Sequence, residues 1–210
     1  MTVIIKMMNE ILNENTYREI EAYTLSQMAK LENSNHNDEH VVRVKNNALK
    51  ILTLLGIEGQ VDKNLLKAIC LLHDFTYTVK KPGMYTYIFE GQIEKRIVQP
   101  VLTKFEISDE TKKIIISAVS QHAHSFPFRK LNKRHNIYAK VLQDADTLDF
   151  FDCLRIKNYM ERNNRSIIGK IKNKIGGRMI VYGLQNLGSF LNYPVLAKSF
   201  FADSSMKCIS

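Results

Sequence analysis

Histidine and aspartate residues beside apolar runs are the groups of this sequence best suited to chemistry. His73 and Asp74 directly follow an apolar run that ends at Leu72. An imidazole and a carboxylate at the end of a core-facing helix must be paired or bound to a metal, because burying them without a partner costs several kcal/mol. The candidate partners are His40 and Asp146, which lie far away in sequence. Two histidines and two carboxylates from separate helices fit a site for one divalent cation.

Helical periodicity predicts the segments that carry both histidines. Apolar residues recur at three- and four-residue steps after Glu39, and Gly56 follows in the position typical of a helix C-terminus. Asp62 can cap the next helix, whose far end is the histidine–aspartate pair. Each histidine is therefore expected at the end of a helix.

The remaining segments also read as helical, and we find no strand alternation in them. Two short helices are predicted within residues 3–31, and a long helix from about Ile137 to Met160 carries the last aspartate of the site. The mixed aromatic and basic residues 75–87 indicate a loop. The sequence therefore predicts an all-α fold.

The composition fits one domain over residues 1–210. The chain is 45% hydrophobic, and no stretch rich in proline or glycine marks a linker. Its formal net charge of +9 attracts phosphate-bearing partners, although scattered lysines that serve solubility are the preferred explanation of the total. We see no C-x-x-C motif, secretory signal or apolar run long enough for a membrane span, so we expect a cytoplasmic protein with no membrane partner.

The elements of the site resemble the H…HD…D signature of the HD superfamily of metal-dependent phosphohydrolases. The stretch from His36 to Val44 is similar to the opening H-D-x-x-H-x-x-R-V of that family, and Leu71–Asp74 is similar to its L-L-H-D. Gln143–Asp149 resembles the Q-D-A-D-x-L-D of one group of small bacterial members, and His124-Ser125-Phe126 resembles an H-S-F of that group. Three matching flanks in the right order make this a specific signal.

The resemblance implies a single-domain, all-α bundle whose core signature covers residues 36–150. Residues 151–210 would complete or flank that bundle. It also implies one divalent metal ion, for which Mn²⁺ or Fe²⁺ suits the mixture of imidazole and carboxylate best, with Mg²⁺, Co²⁺, Ni²⁺ and Zn²⁺ as alternatives. The implied ligands are His40, His73, Asp74 and Asp146.

Two further residues complete the candidate catalytic set beside Asp74. His124 could contact phosphate or act as a general acid. Other branches of the family carry an acid, which would assist the attacking water, at positions where this chain has Tyr77 and Thr78. Asp144 and Asp149, in the same predicted helix as the last metal ligand, could replace that acid, and helical phase makes Asp149 the nearer of the two to Asp146.

Several basic residues near the signature are candidates for substrate binding. Lys80 and Lys81 follow the histidine–aspartate pair and could hold a phosphate, although a solvated pair explains them equally well. Arg43, one turn after the first metal ligand, is grouped with them. His36 lies outside the implied ligand set and is expected to support the ligands or to be exposed, and a structural role for His122 stays open.

These features predict a metal-dependent phosphohydrolase that acts on a nucleotide or a similar small phosphate ester or anhydride. The basic loop and the absence of a nucleotidase-type glutamate favour a nucleoside triphosphate, with release of pyrophosphate. The alternative is a catalytically weak, metal-stabilised module that binds nucleotides or regulates. The basic tract Arg129–His135 lacks interleaved aromatic residues, so nucleic acid is not expected as a partner. A homo-oligomer is left open.

Overall fold

The computed structural model describes residues 11–31, 36–81, 83–122, 136–164 and 166–202. Every regular element within these residues is helical and no strand occurs among them, which confirms the all-α prediction. His124 and the tract Arg129–His135 lie outside the described residues, as does the first part of the helices predicted over residues 3–31. Within the described ranges, no helix is long and apolar enough to cross a membrane.

The α-helices differ widely in length, and short 3₁₀ helices connect some of them. In chain order the α-helices are α1 (Glu14–Met28), α2 (Asp38–Leu55), α3 (Lys63–Leu72), α4 (Met84–Ile88), α5 (Glu90–Leu102), α6 (Asp109–His122), α7 (Ile137–Phe150), α8 (Cys153–Asn163), α9 (Ile167–Gln185) and α10 (Leu196–Ala202). The 3₁₀ helices are Glu58–Gln60, Phe75–Thr78 and Leu187–Phe190.

Local capping fixes the ends of α2 and α3. The Asn37 side chain accepts a hydrogen bond of 3.1 Å from the backbone N–H of His40 at the start of α2. Gly56 ends α2 in the left-handed conformation, with φ of 64°, which a glycine adopts without steric cost. The Asp62 carboxylate accepts from the backbone N–H of Leu65 at 2.7 Å. Gly56 and Asp62 therefore confirm the predicted end of α2 and the predicted start of α3.

The centre of the fold is formed by α2, α3 and α7, because each of these helices packs against the other two. Their apolar faces are removed from solvent, as shown by Val44, Ile69 and Leu142, which are each 0% exposed. Helix α6 packs on α3, α5 and α7, and α1 packs on α3. The three central helices therefore bring together the parts of the sequence that carry the histidines and aspartates.

Two sequence predictions about local structure are wrong. The predicted loop 75–87 contains the 3₁₀ helix Phe75–Thr78 and α4, because backbone hydrogen bonds such as Tyr77 N–H to Asp74 C=O (3.0 Å) close successive turns. The helix predicted to run to Met160 is interrupted after α7. There the side chain of Asp152 accepts from the backbone N–H of Arg155 at 3.1 Å and caps a new helix, α8.

Candidate metal centre

The four residues that the sequence suggested as metal ligands lie together in the folded chain. The Nε2 atom of His40 is 3.0 Å from Oδ2 of Asp74 and 3.5 Å from Oδ1 of Asp146. The Nε2 atom of His73 is 3.5 Å and 3.9 Å from the same two oxygens. The two Nε2 atoms are 3.2 Å apart. Residues from the start of α2, the end of α3 and the middle of α7 thus direct four donor atoms at one point.

The cluster is almost completely withdrawn from solvent. His40 and His73 are 0% exposed and Asp74 is 3% exposed, whereas the side chain of Asp146 keeps 13% of its surface accessible. Burial alone would raise the pKa of both carboxyl groups. Attraction to the imidazole of His73, with the further contacts of His36 and His40, instead holds the pKa of Asp74 well below its ordinary value. Attraction to His73 and His40 also lowers the pKa of Asp146. Both groups are therefore carboxylates, the form that binds a cation.

Hydrogen bonds on the far side of each imidazole fix which nitrogen faces the cluster. Nδ1 of His73 lies 2.7 Å from the backbone carbonyl oxygen of Cys70, which can only accept, so this nitrogen carries the proton. Nδ1 of His40 lies 2.7 Å from Oδ2 of Asp149. Both rings consequently turn Nε2 towards the cluster. A carbonyl or carboxylate behind a histidine is the usual arrangement behind a metal-ligating imidazole.

Asp149 does not have the surroundings of a general base. It is 0% exposed, and besides His40 it accepts hydrogen bonds from Nε of Arg43 at 2.6 Å and from a terminal nitrogen of Arg155 at 2.8 Å. Although burial opposes ionisation, these donors hold the pKa of Asp149 far below its ordinary value. With both oxygens engaged away from solvent, Asp149 orients His40, which corrects its suggested role as a replacement for the missing acid.

Arg43 and Arg155 both donate hydrogen bonds to Asp149. Arg43 had been grouped with the substrate-binding residues, yet its guanidinium is committed to the buried carboxylate. Arg155 also lies 3.2 Å from Nδ1 of His40 and 3.9 Å from Oδ1 of Asp146, with 12% of its side chain exposed. It belongs to α8, outside the motif residues, and no sequence signal had singled it out. Its position places a cation beside Asp146, which keeps 13% of its side chain exposed.

Two further histidines border the metal ligands. Nδ1 of His36 lies 2.6 Å from Oδ2 of Asp74, so His36 contacts the cluster directly and keeps 25% of its side chain exposed. The ring of His122 has its centroid 5.1 Å from that of His73, and its Nδ1 donates to the backbone carbonyl of Val119. Burial and the charge of His73 lower the pKa of His122 to about 4, so its ring is neutral at physiological pH. His36 forms one compact group of donor atoms with His40 and Asp74, and His122 forms another with His73 and Asp74.

Two buried glutamates of α5 are functional candidates that sequence reasoning missed. The hydroxyl of Tyr77 donates to Oε1 of Glu90 at 3.0 Å, and the ring of Tyr77 stacks on His36 at a centroid distance of 4.0 Å. Glu90 is 3% exposed, and burial together with the charge of Asp74 raises its pKa to about 7. Other branches of the family carry an acid at the sequence position of Tyr77, whereas in this chain the acid is Glu90, which contacts the hydroxyl of Tyr77.

Helical phase offered a signal for these glutamates. Glu94 is 0% exposed, and one of its carboxylate oxygens accepts from the backbone N–H of Thr76 at 3.3 Å. Burial raises the pKa of Glu94 well above its ordinary value. Glu90 and Glu94 stand at four-residue steps before the buried Val98, so all three share the inner face of α5.

The two lysines suggested as phosphate ligands stand on the surface. Lys80 and Lys81 follow the 3₁₀ helix Phe75–Thr78 and are both exposed. Their role in substrate binding stays a prediction. The same holds for His124, which lies outside the described residues.

The donor set fits a divalent transition metal. Two imidazole nitrogens and two carboxylate oxygens converge within a buried space, which is the mixture preferred by ions such as Mn²⁺, Fe²⁺ and Zn²⁺. The carboxylates of Asp74 and Asp146 both lie within 3.5 Å of Nε2 of His40, so without a cation their two negative charges would stand in a region of low dielectric constant. The chemistry of the residues present therefore agrees with a metal centre.

An all-α fold built around a buried histidine–aspartate cluster defines the class of HD-type metal-binding proteins. The family model described as HD domain matches residues 37–150. No curated protein and no solved structure gives a match to the chain. The chain belongs to the HD domain family, whose members are in general metal-dependent phosphohydrolases, although some are not catalytic.

Proposed function

We propose that this protein is a divalent-metal-dependent phosphohydrolase that acts on a nucleotide. The observation that carries the proposal is the convergence of His40, His73, Asp74 and Asp146 on one buried point, open to solvent on the side of Asp146. Four protein ligands around an octahedral ion leave two positions for water and a substrate oxygen.

The metal and the protein have separate tasks in this proposal. A divalent ion held by the four ligands supplies Lewis-acid chemistry, because it polarises a phosphoryl oxygen and makes water more acidic. Mn²⁺ or Fe²⁺ is the preferred ion for this donor set. Asp149 keeps the Nδ1 proton of His40 in place, so that Nε2 stays a ligand. Arg155, beside the open face, supplies positive charge to a phosphate that binds there.

The side of the cluster formed by His36 is suited to proton transfer. His36 stands at the edge of the site, partly exposed and in contact with Asp74. Tyr77 packs against its ring, and Glu90 fixes the hydroxyl of Tyr77. We assign to Tyr77 and Glu90 the positioning of His36, so that its imidazole faces the water or leaving group of a bound substrate. This arrangement replaces the acid that other branches place where this chain has Tyr77 and Thr78.

A nucleoside triphosphate is the proposed substrate, with pyrophosphate as a product. A compact polyanion suits a site that offers one metal centre, Arg155 at its open face and the exposed Lys80 and Lys81 nearby in sequence. Several phosphates would use these cations more fully than one.

The test is turnover by the purified full chain loaded with Mn²⁺. Nucleoside triphosphates and monophosphates are supplied separately, and the products are resolved by phosphorus NMR. Pyrophosphate from triphosphates is the expected result, and orthophosphate from monophosphates would indicate a nucleotidase instead. Asp74→Asn is the matched inactive variant, because it keeps the shape of a metal ligand and removes its charge.

A metal-stabilised binding module is the second candidate. The observation in its favour is that Tyr77 and Thr78 occupy the positions of the catalytic acid in other branches. If no substrate is turned over with Mn²⁺, Fe²⁺, Mg²⁺, Co²⁺, Ni²⁺ or Zn²⁺ while nucleotide still binds to the metal-loaded protein, this second candidate replaces the enzyme. Binding is measured by calorimetry on the wild type and on Asp74→Asn.

A further inference from the structure

The positive charge of this chain is concentrated in one part of it. Residues 153–186 hold eight of the 30 basic residues and one of the 21 acidic residues, which gives this stretch a formal charge of +7 out of the chain's +9. It contains α8 and α9 and lies beyond the residues that match the HD family, 37–150. Scattered lysines that serve only solubility do not explain such a concentration.

The exposed side of α9 combines cationic and apolar residues. Ile180 and Leu184 face the protein, with 6% and 8% exposure. At about 100° per residue, the exposed residues occupy an arc of roughly 140° on the opposite side. The apolar residues of this arc are Ile175, Val181 and Tyr182, which are 58%, 40% and 57% exposed. The arc, which we call the α9 face, comprises Lys170, Lys174, Ile175, Arg178, Val181, Tyr182 and Gln185.

We propose that the α9 face binds the surface of an anionic lipid bilayer. Three cations without an acidic residue anywhere in α9 complement negatively charged headgroups. Ile175, Val181 and Tyr182 lie among these cations and enter the boundary between headgroups and acyl chains, where apolar and aromatic side chains are favoured. Because α9 does not meet the requirements of a membrane span, it lies along the surface.

Charge and side-chain chemistry favour this occupant over two others. A second copy of the chain, related by a two-fold axis, would set the cations of one α9 face against those of the other. A single-stranded nucleic acid is bound through aromatic side chains that stack on bases. Of the three exposed apolar residues, Ile175 and Val181 are aliphatic and have no ring to stack. Contact with acyl chains uses all three.

A tryptophan reporter tests the proposal directly, because the chain contains no tryptophan. Tyr182→Trp places a single indole on the α9 face, and Tyr85→Trp places one at another exposed position, in α4, where tyrosine is 70% exposed. We expect the emission of Tyr182→Trp to shift to the blue with vesicles of phosphatidylcholine and phosphatidylglycerol, and not with phosphatidylcholine alone. The emission of Tyr85→Trp should stay constant with both.

Reversing two charges of the α9 face in the full-length protein provides a second test. The double variant Lys174→Glu/Arg178→Glu should lower the partition onto anionic vesicles about tenfold or more in a flotation assay. The control Lys95→Glu/Arg96→Glu makes the same change of net charge on exposed residues of α5 and should lower it far less.

Three results would overturn the proposal. One is the absence of binding to anionic vesicles, and another is equal loss in both charge-reversed variants. The third is a blue shift of Tyr182→Trp that rises with protein concentration or with single-stranded RNA but does not respond to lipid.

Discussion

Nδ1 of His40 lies 2.7 Å from Oδ2 of Asp149, although 109 residues separate them in sequence. This contact joins the first turn of α2 to the last turn of α7 directly behind the metal ligands. Arg43 and Arg155 complete the surroundings of the carboxylate. The metal-facing nitrogen of His40 is therefore determined by a residue that is not itself a ligand.

Asp149→Asn should weaken metal binding about 10–100-fold without unfolding the protein. The amide cannot provide two acceptor oxygens to His40 and both arginines, so the orientation and tautomer of the imidazole are no longer fixed. Metal affinity is measured by competition with a chelator, and helix content by circular dichroism. Asp109→Asn, at a carboxylate that is 88% exposed, is the control and should bind as the wild type does. Equal affinity of both variants would contradict the role given to Asp149.

Removal of the metal should lower the melting temperature of the wild type by several degrees. An ion at about 100 times its Kd stabilises the native state by about 2.7 kcal/mol, because the site exists only in the folded chain. Mn²⁺ should restore the original value. His73→Ala should keep its helix content and respond to neither chelator nor Mn²⁺. If His73→Ala still retains stoichiometric metal, the assigned ligand set is incorrect.

Asp144→Asn should loosen the segment that follows α9. The buried carboxylate of Asp144 accepts from the backbone N–H of Asn192 at 2.7 Å and from that of Tyr193 at 2.9 Å, through different oxygens. An asparagine can accept through one oxygen only, so one N–H loses its partner at a cost of about 1–3 kcal/mol.

Hydrogen exchange at the amides of Asn192 and Tyr193 measures this effect, which should appear as faster exchange. Asp152→Asn is the control, since asparagine caps a helix as well as aspartate does and α8 should be unaffected. Unchanged exchange in Asp144→Asn would show that the carboxylate does not hold the segment.

The stability of the metal-free protein should fall between about pH 4.5 and about pH 7 through Glu90. Burial and the charge of Asp74 raise its pKa to about 7 from an ordinary 4.5. The unfolded carboxyl loses its proton first as pH rises, while the folded one retains it until about pH 7, so the native state is progressively disfavoured over this window. The full loss is about 3 kcal/mol.

Glu90→Gln removes this contribution, because an amide does not titrate and its oxygen can still accept from Tyr77. Urea unfolding at about pH 5 and about pH 8 should show that the variant gains stability relative to the wild type at the higher pH. Glu110→Gln, at an exposed glutamate of α6, should show no such gain. An identical pH dependence for Glu90→Gln and the wild type would mean that Glu90 is ionised throughout.

The sequence by itself determined the fold class, the ends of α2 and α3 and the four clustered residues. Helix ends depend on local hydrogen bonds and backbone conformation, so the cap at Asp62 and the glycine at position 56 could be recognised from neighbouring residues. His40, His73, Asp74 and Asp146 could be recognised because a metal site restricts which residue types can occupy such apolar surroundings.

Only the tertiary structure decided what surrounds these four residues. Arg155 of α8 and His36, which precedes α2, contact the cluster, and Glu90 of α5 lies behind them on the hydroxyl of Tyr77. Local periodicity does not contain the distances between separate helices. The same limit applied to Asp149, since helical phase placed it near Asp146 but could not show that two arginines and an imidazole already occupy its oxygens. Contacts of this kind depend on how helices far apart in sequence pack, which is a property of the whole fold.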